Sequence, residues 1–210
     1  MNRRVFLQAG VAALALSASG MSRAVEGVNP SPYAAVGPFK AERRKVFGFF
    51  LFSCPFCQQY QPVINSWGRT IPAPVSFEPV PVVTDQASFR QAHAYYAVKQ
   101  GMPEKLESFM TACFQTMSHG GAPSFYTEAP FLNTLGIDRK AFAKAWTAPA
   151  IRPAIVAAVT LAERYAIMAT PSIAIGGAYV LDADRVDGDF ALMMRLASGL
   201  VSRVLEGGRV

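Results

Sequence analysis

The sequence predicts an α/β protein: a sheet whose first β-α-β unit is followed by a block of inserted helices. Three observations carry that expectation. Residues 46–52 (Val-Phe-Gly-Phe-Phe-Leu-Phe) form a nearly continuous apolar run that ends at Ser53-Cys54-Pro55. Residues 86–165 are helical in texture, punctuated by Gly101, Gly120-Gly121 and Gly136. Beta character then returns at 171–175 and 179–181, on either side of Gly176-Gly177.

Taken in chain order, residues 25–44 contain Pro30, Pro32, Gly37 and Pro38, which cannot hold a helix and predict an extended surface arm. The run at 46–52 is predicted to be a strand buried on both faces. Ser53 is the expected N-cap of the next helix, with Pro55 in its first turn. That helix should cover about 54–67, with Pro62 kinking it and Gly68 stopping it. Val and Phe alternate with polar residues over 75–83, where Pro79 and Pro81 make the strand's end irregular or place it at an edge. Helical spacing follows at 86–100, 103–117, 127–135, 139–146 and 152–165. The two apolar runs around Gly176-Gly177 predict a hairpin, and Asp189 caps a last helix reaching about 205.

Composition narrows the function classes. The chain has 210 residues, 51% hydrophobic and 16% charged, which supports a buried core and argues against disorder. It opens Met1-Asn2-Arg3-Arg4-Val5-Phe6-Leu7-Gln8, which is similar to a twin-arginine export motif. The alanine-rich stretch that follows is shorter than the ~20 apolar residues of a membrane-spanning helix. Ser22-Arg23-Ala24 places small residues where a signal peptidase reads, so cleavage is expected after Ala24. Ser17-Ala18-Ser19 is an earlier alternative site, and an uncleaved anchor is the alternative fate. The expected location is the periplasm, an oxidising compartment. The formal charge is +6, and removing Arg3, Arg4 and Arg23 with the leader leaves +3. Arg43-Arg44-Lys45 is the compact basic cluster, and it reads as a solvated approach to a strand; no nucleic-acid partner is expected.

Cys54 and Cys57 admit four readings: half a zinc site, a structural crosslink, a haem attachment or a redox centre. Haem attachment needs histidine after the second cysteine, and Gln58 stands there. Zinc needs about four ligands, and Cys113, His93 and His119 are singletons without paired spacing, so no metal or other cofactor is expected. A structural crosslink across two residues gains little loop entropy. The redox reading rests on position. A first helical turn carries free N–H groups and partial positive charge, which would stabilise a thiolate at Cys54. Cys57 lies on about the same helical face and would complete or reverse the exchange. Met168-Ala169-Thr170-Pro171-Ser172 opens the later strand, and Pro171 is a candidate cis-proline or a trans proline that merely starts the strand.

With these motifs together, the chain resembles the DsbA-like disulfide oxidoreductases. The resemblance runs from about 45 to 205 and is carried by Phe49 through Cys57, Pro62, the helical insertion and Ala169 through Tyr179. It implies a thioredoxin-like sheet with an inserted helical domain. Residues 1–24 would be the leader, 25–85 and 166–210 the thioredoxin-like domain, and 86–165 the insertion. It further implies disulfide transfer to unfolded or folding exported proteins, and reoxidation by a membrane quinone-linked partner. Cys54 would be the nucleophile, Cys57 its buried partner, and Thr170-Pro171 the substrate-binding cis-proline loop. Pro55 and Phe56 would modulate the motif. Many members have histidine where Phe56 stands and a buried acid near the position of Gly48. Both departures bear on the redox potential and leave the reaction class intact. A reductase or isomerase of the same fold and a non-catalytic periplasmic chaperone are the alternatives.

The remaining candidates have plainer roles. Cys113 reads as a buried inert thiol, with a regulatory third thiol as the alternative. His93 and His119 read as helix-surface or turn residues, with His119 helping to end a helix. Phe49, Phe50, Phe52, Trp67 and Trp146 read as packing residues.

Overall fold

The computed structural model of the protein describes residues 31–121 and 124–207. The proposed leader, its twin arginines and its cleavage site lie outside the described residues. Five strands are present: β1 (Ala34–Ala35), β2 (Lys45–Phe50), β3 (Ser76–Pro81), β4 (Ser172–Ile175) and β5 (Tyr179–Asp182). They form one mixed sheet in the order β1-β5-β4-β2-β3. The apolar run therefore lies inside the sheet. β2 pairs in parallel with β3, from Lys45 opposite Ser76 to Phe50 opposite Pro81, and antiparallel with β4. Every β2 residue after Lys45 is buried, as a strand covered on both faces requires.

Helix α1 (Pro55–Thr70) links β2 to β3. It shares a core with α7 (Phe190–Leu205) on one face of the sheet, where Val46, Ile64, Ile173, Ile175, Leu181 and Met193 meet. Five helices are inserted between β3 and β4: α2 (Gln86–Gly101), α3 (Leu106–Ser118), α4 (Ala129–Thr134), α5 (Arg139–Trp146) and α6 (Ile151–Arg164). Phe47 and Phe49 point from β2 into this second core and pack against Tyr165 at ring separations of 5.9 and 6.1 Å. Phe50 packs edge-on against Tyr95 of α2 and Phe114 of α3. Among the described residues no single helix is long and apolar enough to cross a membrane.

β3 lies at the sheet edge, as its prolines predict. Ser76 N–H donates to Arg44 O and Val82 N–H to Phe50 O, so the even-numbered residues bond β2. The odd-numbered Pro79 and Pro81 therefore turn their nitrogens outward, where no ladder bond is lost. The Tyr95 hydroxyl donates to the Pro79 carbonyl at 2.8 Å.

Two local expectations are corrected. Cys54, not Ser53, is the N-cap of α1, and its side chain makes no capping hydrogen bond. Pro55 at the first helical position fixes the start one residue later than expected. Gly68 does not stop α1, which runs on to Thr70. A Cβ at Gly68 would come within 2.2 Å of Phe77 Cδ1, so the glycine serves a close approach between helix and β3. The arm is extended as expected where it is described, and it joins the sheet. Ala34 and Ala35 pair with Val180 and Tyr179 of β5, and Phe39 N–H donates to Gly177 O at 2.7 Å. The hairpin is as expected, with Gly176 and Gly177 at φ of 63° and 71°. Asp189 caps α7 by accepting from Leu192 N–H at 2.8 Å.

Candidate active site

β2 delivers the chain to the site. After Phe50 the backbone turns, with Cys54 N–H donating to Leu51 O at 3.0 Å, and α1 begins at Pro55. Cys54 has extended φ and ψ of −83° and 119°. Its sulfur therefore sits beside the N–H groups of the first turn, which have no partner within the helix. Cys54 is half-buried, and Cys57, one turn on, is fully buried. The two are unbonded thiols here. Antiparallel pairing of β4 with β2 brings the loop before β4 to the same place. Cys54 Sγ lies 3.2 Å from Thr170 O, across a separation of 116 residues. The Thr170–Pro171 peptide bond is cis. Cys54, Cys57, Thr170 and Pro171, chosen from sequence, thus form one cluster.

The electrostatics separate the two thiols. Cys54 is lowered to about 5, chiefly by a hydrogen bond from the Cys57 side chain. The Thr170 side chain and the N–H groups of Cys57 and Phe56 act in the same sense, while partial burial opposes them. Cys57 moves strongly upward, because its proton is held by Cys54 and because it is buried. The two titrate as a pair, so the directions describe one shared proton. No carboxylate, imidazole or ammonium contributes to either displacement. At neutral pH the pair thus holds one thiolate, on the sulfur nearer solvent, and one thiol behind it.

The family described as DSBA-like thioredoxin domain matches residues 64–189, which span the inserted helices and the Thr170-Pro171 loop. The chain belongs to the DSBA-like thioredoxin domain family. It is 27% identical over 175 residues to the thiol:disulfide interchange protein DsbA of Burkholderia cepacia, covering 82% of this chain and 80% of that one. Among solved structures it is similar to Pseudomonas aeruginosa DsbA, with a TM-score of 0.74 at 21% identity, covering 84% of this chain and 93% of that one. It is also similar to a Proteus mirablis DsbA variant solved with a non-covalently bound peptide, PWATCDS, with a TM-score of 0.66 at 14% identity, covering 83% of this chain and 96% of that one. The fold is the thioredoxin-like fold of that family, and the activity class is thiol:disulfide oxidoreductase.

Within this DSBA-like chain the departures noted in sequence have structural counterparts. Phe56 is 58% exposed and offers the site a phenyl ring in place of an ionisable group. A Cβ at Gly48 would lie 2.9 Å from Phe77 Cζ, so a side chain there would displace that ring. The other candidates lie elsewhere. Cys113 is buried on α3. His119 is the C-cap of α3. His93 stacks on Trp146 at 4.2 Å and its Nε2 lies 2.8 Å from the Trp146 carbonyl, a contact the sequence did not suggest. Trp67 Nε1 donates to Ser198 of α7. Among the described residues no group of three or more His, Cys, Asp or Glu side chains gathers as a metal site would. Sequence reasoning also passed over Met168, 93% exposed two residues before Thr170. The one signal available was its apolar side chain beside a loop already suspected of touching substrate.

Proposed function

We propose that the protein is a periplasmic oxidant that transfers a disulfide from Cys54–Cys57 to unfolded or folding exported polypeptides. The observation that carries the direction is the pull on Cys54 to about 5 by its partner thiol and neighbouring N–H groups. Whatever stabilises the Cys54 thiolate stabilises the dithiol form over the disulfide, which makes the disulfide a stronger oxidant.

In the oxidised protein, a substrate thiolate attacks Cys54 Sγ. A substrate–Cys54 bond forms, the Cys54–Cys57 bond breaks, and Cys57 leaves as a thiolate. Its burial penalises the charged form, so a proton is drawn onto it, which disfavours return. A second substrate thiolate then attacks the substrate sulfur of the mixed disulfide. The substrate disulfide forms, and Cys54 departs as a stabilised thiolate. Two electrons have passed from the substrate to the protein. A membrane quinone-linked partner would take them on, as the family resemblance implies. Thr170 and Pro171 are the residues proposed to meet the substrate backbone, and a cysteine-containing peptide bound to the Proteus mirablis relative supports that reading. Pro55 fixes the helix start, and Phe56 shapes the mouth. Residues 1–24 are proposed as the export leader. The proposed division is 25–85 with 166–210 as the thioredoxin-like part and 86–165 as the insertion.

The test is oxidation of a dithiol peptide by the disulfide form, with the equilibrium against glutathione measured alongside. An oxidising equilibrium, with activity lost in Cys54→Ser, is expected. A strongly reducing equilibrium would make the protein a reductase. Peptide binding undiminished by loss of both cysteines, with no turnover in the wild type, would make it a chaperone.

A further inference from the structure

We propose that the outer face of α6 is a self-complementary docking surface, on which two copies of this chain pair as an antiparallel, two-fold symmetric dimer. The inference is independent of the chemistry at Cys54.

α6 turns Ile151, Ile155 and Ala158 into the core of the insertion. Its other side is open: Arg152, Pro153, Val156, Ala157, Thr160 and Glu163 are all exposed. Val156 is 56% exposed. A lone exposed valine needs no explanation, but the charges at the two ends of this face do. Arg152 lies in the first turn of α6 and Glu163 in the last. A helix carries partial positive charge at its start and partial negative charge at its end, so each of these side chains stands at the end that disfavours it. Neither gains an ion-pair partner among the described residues to offset that cost.

A second α6 laid antiparallel removes both conflicts. Arg152 and Glu163 are separated by about three helical turns, so they lie on one side of the helix, with Val156 between them. In an antiparallel pair, the register that sets Arg152 against Glu163 of the second copy also sets Val156 against its half-buried Val159. Two-fold symmetry then repeats both contacts. One register thus matches charge and apolar surface together. Pro153 and Ala157, which flank the seam, are short enough for the helix axes to approach within about 8–10 Å. A single helix seam is smaller than the ~800 Å² per partner of a standard interface, so the dimer is weak and forms as concentration rises.

The experiment is sedimentation equilibrium of the protein from about 10 µM to about 1 mM. The apparent mass should climb from monomer towards dimer over that range, and less steeply in high salt. Arg152→Glu and Glu163→Arg should each weaken self-association about tenfold or more, because each sets like charges together twice. An equimolar mixture of the two variants should associate again, since every contact across the pair is then between opposite charges. The mixture also guards against misfolding, which would leave nothing to rescue. Dithiol-peptide oxidation by Arg152→Glu should match the wild type, because the seam contains none of Cys54, Cys57, Thr170 or Pro171. A wild type that stays monomeric throughout, single variants that associate as the wild type does, or a mixture that stays monomeric would each overturn the proposal and leave the oxidoreductase reading untouched.

Discussion

The N-terminal end of α1 and the middle of α3 each present cysteine to their surroundings, with opposite results. Cys54 stands where a helix begins, half-buried, with first-turn N–H groups and a second thiol around its sulfur. Cys113 stands inside α3, 2% exposed, next to a small enclosed space lined by Phe52, Gln91, Ala94, Phe125 and Tyr126. Burial alone drives the Cys113 thiol well above its ordinary range. Mid-helix N–H groups are already bonded four residues back and have nothing to offer an anion. The comparison teaches that a thiol is activated where a helix start and nearby donors outweigh burial, and is silenced where burial acts unopposed. Cys57 is as buried as Cys113 and is still coupled to Cys54 by its hydrogen bond.

The strongest way to break this comparison is to exchange the outcomes. Cys54→Ser should lower dithiol-peptide oxidation by about 10³-fold or more, because the attacked sulfur is gone, while Cys113→Ser should stay within about twofold of wild type. Loss of turnover in Cys113→Ser, measured by peptide fluorescence, would put α3 into the mechanism.

A sharper test follows pH. Below about 5 Cys54 is a thiol, and above it a thiolate. Alkylation by iodoacetamide should therefore fall about tenfold per pH unit below that midpoint and level off above it. Because the folded value is depressed, Cys54 adds stability to the dithiol form that is fully present above the unfolded thiol's ordinary value. That stability is lost as pH falls through about 5. Cys57→Ala removes the largest stabilising contact, so the midpoint seen by thiolate absorbance should move upward. An unmoved midpoint would assign the shift to the helix start alone.

Smaller effects concern stability. Cys113→Ala should cost about 1 kcal/mol, through lost packing in a site with no polar role for the sulfur. Urea denaturation of the dithiol form checks it. Ala166 offers a gain. It ends α6 at φ 49°, with Ala166 N–H donating to Glu163 O and Ile167 N–H to Ala162 O. Glycine is the usual residue at such a helix end. Ala166→Gly should therefore stabilise by about 0.5–1 kcal/mol, read as a rise in Tm.

Much of this was legible in the sequence, and the particulars show why. β2 announced itself because a strand buried on both faces must be apolar throughout. β3 declared its edge through Pro79 and Pro81. The inserted helices kept their 3.6-residue spacing, and α5 (Arg139–Trp146) coincides with its expected bounds. Four residues of the candidate site were named because Cys-x-x-Cys at a helix start and Thr-Pro at a strand start are local patterns. What escaped depends on contacts made across the chain. A two-residue strand such as β1 has no periodicity to read. Gly68 looked like a stop because Phe77, which needs its empty flank, is nine residues away and on another element. Met168 resembled any loop methionine until its exposure was known.

The outward prolines of β3 carry a further consequence. On the proposed function the protein would meet exposed strands seeking an unpaired ladder, and an open sheet edge is a template for aggregation. Here the outer side of β3 lacks donors at Pro79 and Pro81, and its Pro79 acceptor is already taken by Tyr95 of the insertion. At the opposite margin β1 has only two residues. On that reading clients would exchange sulfur chemistry at the helix tip and still leave, because each rim gives them little backbone to zip onto.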